Sequence, residues 1–169
     1  YLLFGGASLA DEGLPVVTAP KAQPATLPEQ AKDFSYIPAY DLSAAAGAGR
    51  LVLEEEASKF LAFRDDFLSS VTVGKPEQLA VLSVSGDSME PTLHNGDNIL
   101  VDRTIEKPID DGIYVVRYDE SLLVKRIAID PFRRLLTVSS DNPRYAPIKE
   151  VDPEFVSVIG RVIWVGRRL

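Results

Sequence analysis

After Gly74 the chain becomes a succession of short apolar runs separated by turn-forming residues, and this spacing limits the fold more than any other feature. The runs are Leu79–Val84, Asn98–Asp102, Ile113–Tyr118, Ser121–Ile129, Leu135–Ser139 and Val156–Val165. Between them lie "HNGD", "KPIDDG", "YDES", "DPFRR" and "DNPRY". Gly accepts positive φ, Pro presets φ, and Asn and Asp bond to their own backbone, so such clusters turn the chain. Several short strands at this spacing, with no helices between them, predict a mostly β protein. The expected form is twisted antiparallel sheet closing into a partial barrel.

Upstream the pattern is looser. "SYIPAYDL" reads as a short strand with an edge proline. "GRLVLEEE" and "KFLAFR" are strand candidates, and "RDDFLSSV" has room for one or two helical turns. "SAAAGAG" is small and flexible, a turn or an exposed loop. In residues 6–35, Pro15, Pro20, Pro24 and Pro28 recur without helical or alternating period, which predicts an extended or disordered linker. "YLLFGG" before it reads as the last apolar turn of another element, ended by glycine. The sequence starts at Tyr1, so the expectation is a fragment whose N-terminal portion has been removed.

Composition narrows the function classes. A chain of 169 residues can bury one sizeable core. There is no cysteine and a single histidine, so disulfides, thiolate chemistry and a histidine-based metal site are not expected, and neither is a cofactor. The net charge of -7 argues against a grip on DNA by these residues alone, because phosphate neutralisation needs a basic face. No run approaches a membrane span and no basic leader opens the chain, which points to the cytoplasm.

One stretch raises a question of chemistry. "SGDSMEPT" places Ser88 between a glycine and a proline turn, where a serine is ordinarily just part of the turn. As a nucleophile it would need a base. His94, six residues on, would also need an orienting carboxylate, and its position before "NGD" suits an exposed turn. The other option is a lysine made neutral by burial. "SLLVKRIAI" sets Lys125 between Leu123 and Ile127 on one face of a strand, with Leu122, Val124, Arg126 and Ala128 on the other. On the residues alone, a solvent face with an ordinary charged lysine is the commoner arrangement.

"SGDSMEPTLHNGDNILVD" followed by "LLVKRI" resembles the self-cleaving repressors LexA and phage CI, whose C-terminal domains are Ser–Lys peptidases. The resemblance covers about Tyr36 to Leu169. It implies a LexA/signal-peptidase-type fold, Ser88 as nucleophile and Lys125 as general base. It also implies that the Ser88 N–H helps to form an oxyanion hole, and that Gly86, Asp87 and Met89 support the loop, Met89 packing inward. Gly96 and Asp97 would shape the turn that follows. The family cuts its own chain at a small dipeptide before the serine. Here "LSAAAGAGRL" offers Ala46–Gly47 and Ala48–Gly49, and Ala46–Gly47 is preferred, in a cleavage loop of about 41–50. "YLLFGG" resembles the close of a phage-repressor helix-turn-helix domain. On this reading residues 1–35 are the end of a DNA-binding domain plus linker, and 36–169 the peptidase-like dimerisation domain.

The resemblance implies a phage-type or SOS-type repressor domain that forms a homodimer. Its self-cleavage would be stimulated by a RecA–single-stranded DNA filament, and operator DNA would be bound by the absent N-terminal domain. A non-cleaving dimerisation domain relieved by an antirepressor protein is the alternative; a signal-peptidase-like protease and a polymerase-accessory relative fit less well. In "VSVIGRVIWVGRRL", apolar on both faces, Ile159, Arg161, Ile163 and Trp164 are the candidate dimer contacts, although Trp164 suits a core equally well.

Overall fold

The computed structural model describes residues 33–41, 59–119 and 121–169. The linker, the Ala46–Gly47 bond and the "GRLVLEEE" candidate strand lie outside them. The described strands are β1 (Phe34–Asp41), β2 (Lys59–Arg64), β3 (Leu79–Ser83), β4 (Asn98–Asp102), β5 (Gly112–Tyr118), β6 (Ser121–Ile129), β7 (Leu136–Ser139), β8 (Ile148–Val151) and β9 (Ser157–Gly166). One helix, α1 (Asp65–Val71), follows β2. The fold is thus mostly β, as the punctuated runs predict.

All nine strands share one sheet in the order β2-β1-β3-β4-β9-β5-β6-β7-β8. The ladder is open, with β2 and β8 at its edges. It is mixed rather than wholly antiparallel, because β1 runs parallel to β3, from Ala39 opposite Val81 to Asp41 opposite Ser83. The reason is the connection: β2 runs antiparallel to β1 and ends opposite its start, Arg64 beside Phe34, and α1 with the residues up to Gln78 then crosses to the other flank of β1, where β3 sets out in the direction of β1. Pro38 sits in a strand flanked on both sides, yet it precedes the β3 ladder and faces only Phe60 of β2. Its missing N–H therefore costs that ladder nothing.

β9 lies at the centre, between β4 and β5. This explains its apolar character on both faces. Ile159 and Val162 pack on a core containing Met89, Leu93 and Val124, while Ile163 and Trp164 pack on another containing Ile37, Phe63 and Leu100. Gly160 is needed where β9 crosses β4, since a Cβ there would stand 2.6 Å from the Asp102 carbonyl oxygen. β6 alternates as its sequence predicts. Leu122 and Val124 join the core of Met89, and Leu123 and Ile127 join that of Tyr114.

Candidate functional site

β3 and β4 end in a loop that carries Ser88. Two backbone bonds close its base, from Val84 N–H to Asp97 O at 2.7 Å and from Gly96 N–H to Val84 O at 2.8 Å. Gly86 and Gly96 both take φ of +87°, a region where a Cβ is strained, so glycine is required at both bends. Gly86 N–H donates to Asn95 Oδ1 at 3.0 Å. Within the loop Met89 and Leu93 are buried, at 2% and 1% exposure, and Leu93 N–H donates to Met89 O at 2.9 Å. Each such buried side chain stabilises by about 1.5–3 kcal/mol, enough to hold the Ser88 turn onto the core. Met89 packs inward as expected, and Ser88 is left half-buried.

Residues 140–145, after β7, meet this loop from outside. Asn142 N–H donates to Ser88 O at 3.0 Å, and Asn142 Nδ2 donates to Asp87 O at the same distance. Tyr145 OH donates to Asp87 Oδ1 at 2.7 Å. Asp141 receives both arms of Arg126, at 2.6 and 2.7 Å. That pairing holds the Asp141 carboxyl below the usual carboxylate range, with a further bond from the Thr92 hydroxyl. Asp141 and Asn142, neighbours in the chain, thereby connect the serine loop to β6.

Lys125 reaches the same segment. Its Nζ donates to Ser140 Oγ at 2.7 Å and lies 6.0 Å from the centre of the Tyr145 ring. It is half-buried, opposite Tyr114 in the β5–β6 ladder. Burial lowers its pKa from the ordinary lysine value of 10.5. This is the direction a lysine base requires, because the charged form cannot accept a proton.

The structure brings Ser88, Asp87 and Lys125 onto one short segment, but no hydrogen bond joins the Ser88 and Lys125 side chains among the described residues. His94 contributes its backbone: its N–H donates to Asp97 Oδ2 at 2.8 Å. Asp97 is 2% exposed and is also held by Arg167, so its role is to lock the base of the loop. Ser140, Asp141 and Asn142 escape the sequence reading, which takes "DNPRY" only as a turn. Ile159, Ile163 and Trp164 pack within the chain, and Arg161 pairs with Asp110 at 3.0 Å. With β9 paired on both sides, any contact with a second copy through it is made by a face. No group of His, Cys, Asp and Glu among the described residues forms a metal site, and no described helix is long and apolar enough to cross a membrane.

The geometry agrees with what comparison finds. A family model described as Peptidase S24-like matches residues 38–163. The 26 kDa repressor protein of Escherichia phage HK022 is 34% identical over 139 residues, 79% of this chain and 58% of the repressor. Repressor protein CI of Enterobacteria phage phi80 is 29% identical over 125 residues, 73% of this chain and 52% of the repressor. Protein ImpA of Salmonella typhimurium is 33% identical over 102 residues, 60% of this chain and 67% of ImpA. The chain spans about half the length of the repressors it matches.

Proposed function

This chain belongs to the Peptidase S24-like family, and we propose that it is the regulatory domain of a phage-type or SOS-type transcriptional repressor. In this reading it dimerises, and it inactivates the repressor by cutting its own chain at Ala46–Gly47 with Ser88 and Lys125. The observation that carries the reading is the shared segment: the Lys125 amine bonds Ser140, and the Ser88 carbonyl bonds Asn142.

The chemistry follows from those two side chains. Ser88 Oγ attacks the Ala46 carbonyl carbon while neutral Lys125 takes the hydroxyl proton. Donation from Lys125 Nζ to Ser140 Oγ orients the amine and, in its neutral form, leaves its lone pair for that proton. The oxygen that becomes negative is met by the Ser88 N–H. Collapse breaks the bond to Gly47, whose nitrogen takes the proton back from Lys125. Water, activated by the same amine, then hydrolyses the Ser88 ester. The sheet supports access, because residues 42–58 join Asp41 to Lys59, and Asp41 stands beside Ser83, where the chain leaves β3 for the Ser88 loop.

Operator DNA and a second copy of the chain are the proposed partners that repressor relatives suggest, and a RecA–single-stranded DNA filament is proposed as the stimulus for cleavage. The bond from Lys125 to Ser140 instead of Ser88 also favours a second reading, a non-cleaving dimerisation domain relieved by an antirepressor. Incubation at about pH 7 and about pH 10, with mass spectrometry of new termini, separates the two. Self-cleavage predicts a new terminus at Gly47 in the wild type and none in Ser88→Ala or Lys125→Ala. Identical fragments from Ser88→Ala would remove the dyad, and an intact wild type under RecA stimulation would favour the antirepressor reading.

A further inference from the structure

Asn142 is 8% exposed, and its polar groups are committed. Its N–H goes to Ser88 O, Nδ2 goes to Asp87 O, and Oδ1 accepts from Arg144 N–H at 3.0 Å. The Asp87 carbonyl and the Ser88 N–H belong to one planar peptide unit, on opposite sides of it. Holding the oxygen therefore sets the direction of the N–H. The bond from Asn142 N–H to Ser88 O fixes the next peptide, so both dihedrals that place Ser88 are bracketed. The Asp87 oxygen also accepts from Glu90 N–H at 3.1 Å, but that donor lies within the turn and moves with it. Among the described residues, only the Asn142 amide ties this peptide to something outside the loop. An accepted hydrogen bond also polarises the unit, which makes its N–H a stronger donor.

We infer that Asn142 is a positioning residue that aims the Ser88 N–H at the carbonyl oxygen of the peptide under attack. The inference rests on the self-cleavage reading and adds to it a residue 54 positions beyond the serine in sequence. A donor aimed at the developing negative charge acts on the transition state, so its loss lowers the rate constant without moving the titration of the base. Asn142 bonds neither Lys125 nor Ser140.

The test measures self-cleavage of the full chain across about pH 6 to 11 for the wild type, Asn142→Ala and Asn142→Asp, with thermal unfolding of each. Asn142→Asp keeps the size, the backbone N–H and the oxygen facing Arg144, and replaces the donor to Asp87 by a charged acceptor. Both variants are expected to lose about 10- to 100-fold at the alkaline plateau, with the midpoint of the pH profile unchanged in Asn142→Ala, which adds no charge. Reaction of Ser88 with a fluorophosphonate, whose tetrahedral oxygen takes the same donor, is expected to slow in parallel. Plateau rates within about twofold of wild type would overturn the inference, as would a shifted midpoint in Asn142→Ala, which would mean action through Lys125. If Asn142→Ala fails to fold, Asn142→Asp decides; if neither folds, Asn142 serves the fold and not the donor. Ser88→Ala separates the two levels. If it cleaves like wild type, the dyad reading itself fails; if it is inert while both Asn142 variants cleave normally, only the present inference fails.

Discussion

Arg167 grips the buried carboxylate of Asp97 with two arms, Nε to Oδ1 at 2.9 Å and Nη2 to Oδ2 at 2.7 Å. The same guanidinium reaches the Thr92 carbonyl at 3.2 Å, so a residue beyond β9 clamps the Ser88 loop at its base and in its middle. The Arg167 bonds, with the His94 N–H, hold the Asp97 carboxyl below its ordinary value of 3.8. A depressed carboxylate stabilises the fold above the unfolded value, and that contribution is lost as pH falls through the folded one. Arg167→Ala should therefore unfold at a lower temperature than wild type above about pH 4, and the gap should close on further acidification. Thermal unfolding from about pH 2 to 7 measures this. A gap that persists at the acid end would show that Arg167 works by packing instead.

Lys125 titrates in the opposite sense to a stabilising pair. Burial depresses its folded pKa below 10.5, so between the folded value and 10.5 the unfolded chain holds more protons and stability rises with pH. Below the folded value the penalty for the buried charge is fully present. Lys125→Met should therefore be inactive and yet more stable at neutral pH, an advantage that fades towards pH 10.5. In the wild type the self-cleavage rate should climb with pH and level off before 10.5. A flat rate profile, or a Lys125→Met variant less stable at neutral pH, would count against a dehydrated lysine.

Gly47→Asp should block cleavage at Ala46–Gly47 and leave Ser88 reactive towards a fluorophosphonate. An unpaired carboxylate loses hydration when the cleavage peptide closes on Ser88, and that cost is not repaid. Mapping the fragments by mass spectrometry checks the bond as well as the chemistry, because continued cutting at Ala48–Gly49 would move the site by two residues.

Trp164 meets Phe63 edge-on, with ring centres 5.2 Å apart, and packs on the core of Ile37 and Leu100. Trp164→Ala should cost about 2–4 kcal/mol in urea unfolding, somewhat less than a fully buried tryptophan. The proposed dimer through Ile159, Arg161, Ile163 and Trp164 is checked by ultracentrifugation of the wild type at micromolar concentration. A wild-type monomer there would leave Trp164 with a core role only.

Much of the fold was readable because it is local. The bounds of β4 and β6 follow from apolar runs and their turns, and the two faces of β6 follow from alternation along one strand. β8 was missed, since "IKEV" is short and half charged. The parallel β1–β3 pair and the central place of β9 depend on which distant strands meet, and no single run encodes that. The same holds at the site. Ser88 and Lys125 stand out in sequence through their surroundings, whereas Asn142 gains its meaning from Asp87, 55 positions away.

The central place of β9 has a consequence during synthesis. In the sheet, β9 alone joins the group β2-β1-β3-β4 to the group β5-β6-β7-β8. A chain emerging from the ribosome presents β4 and β5 long before the strand that pairs with both has been translated. Each group can form its own hairpins, but the ladder between them, and the Arg167 clamp that follows it, wait for β9 and Arg167 to be made. A growing polypeptide thus carries Ser88 on an unfinished scaffold until β9 has been made.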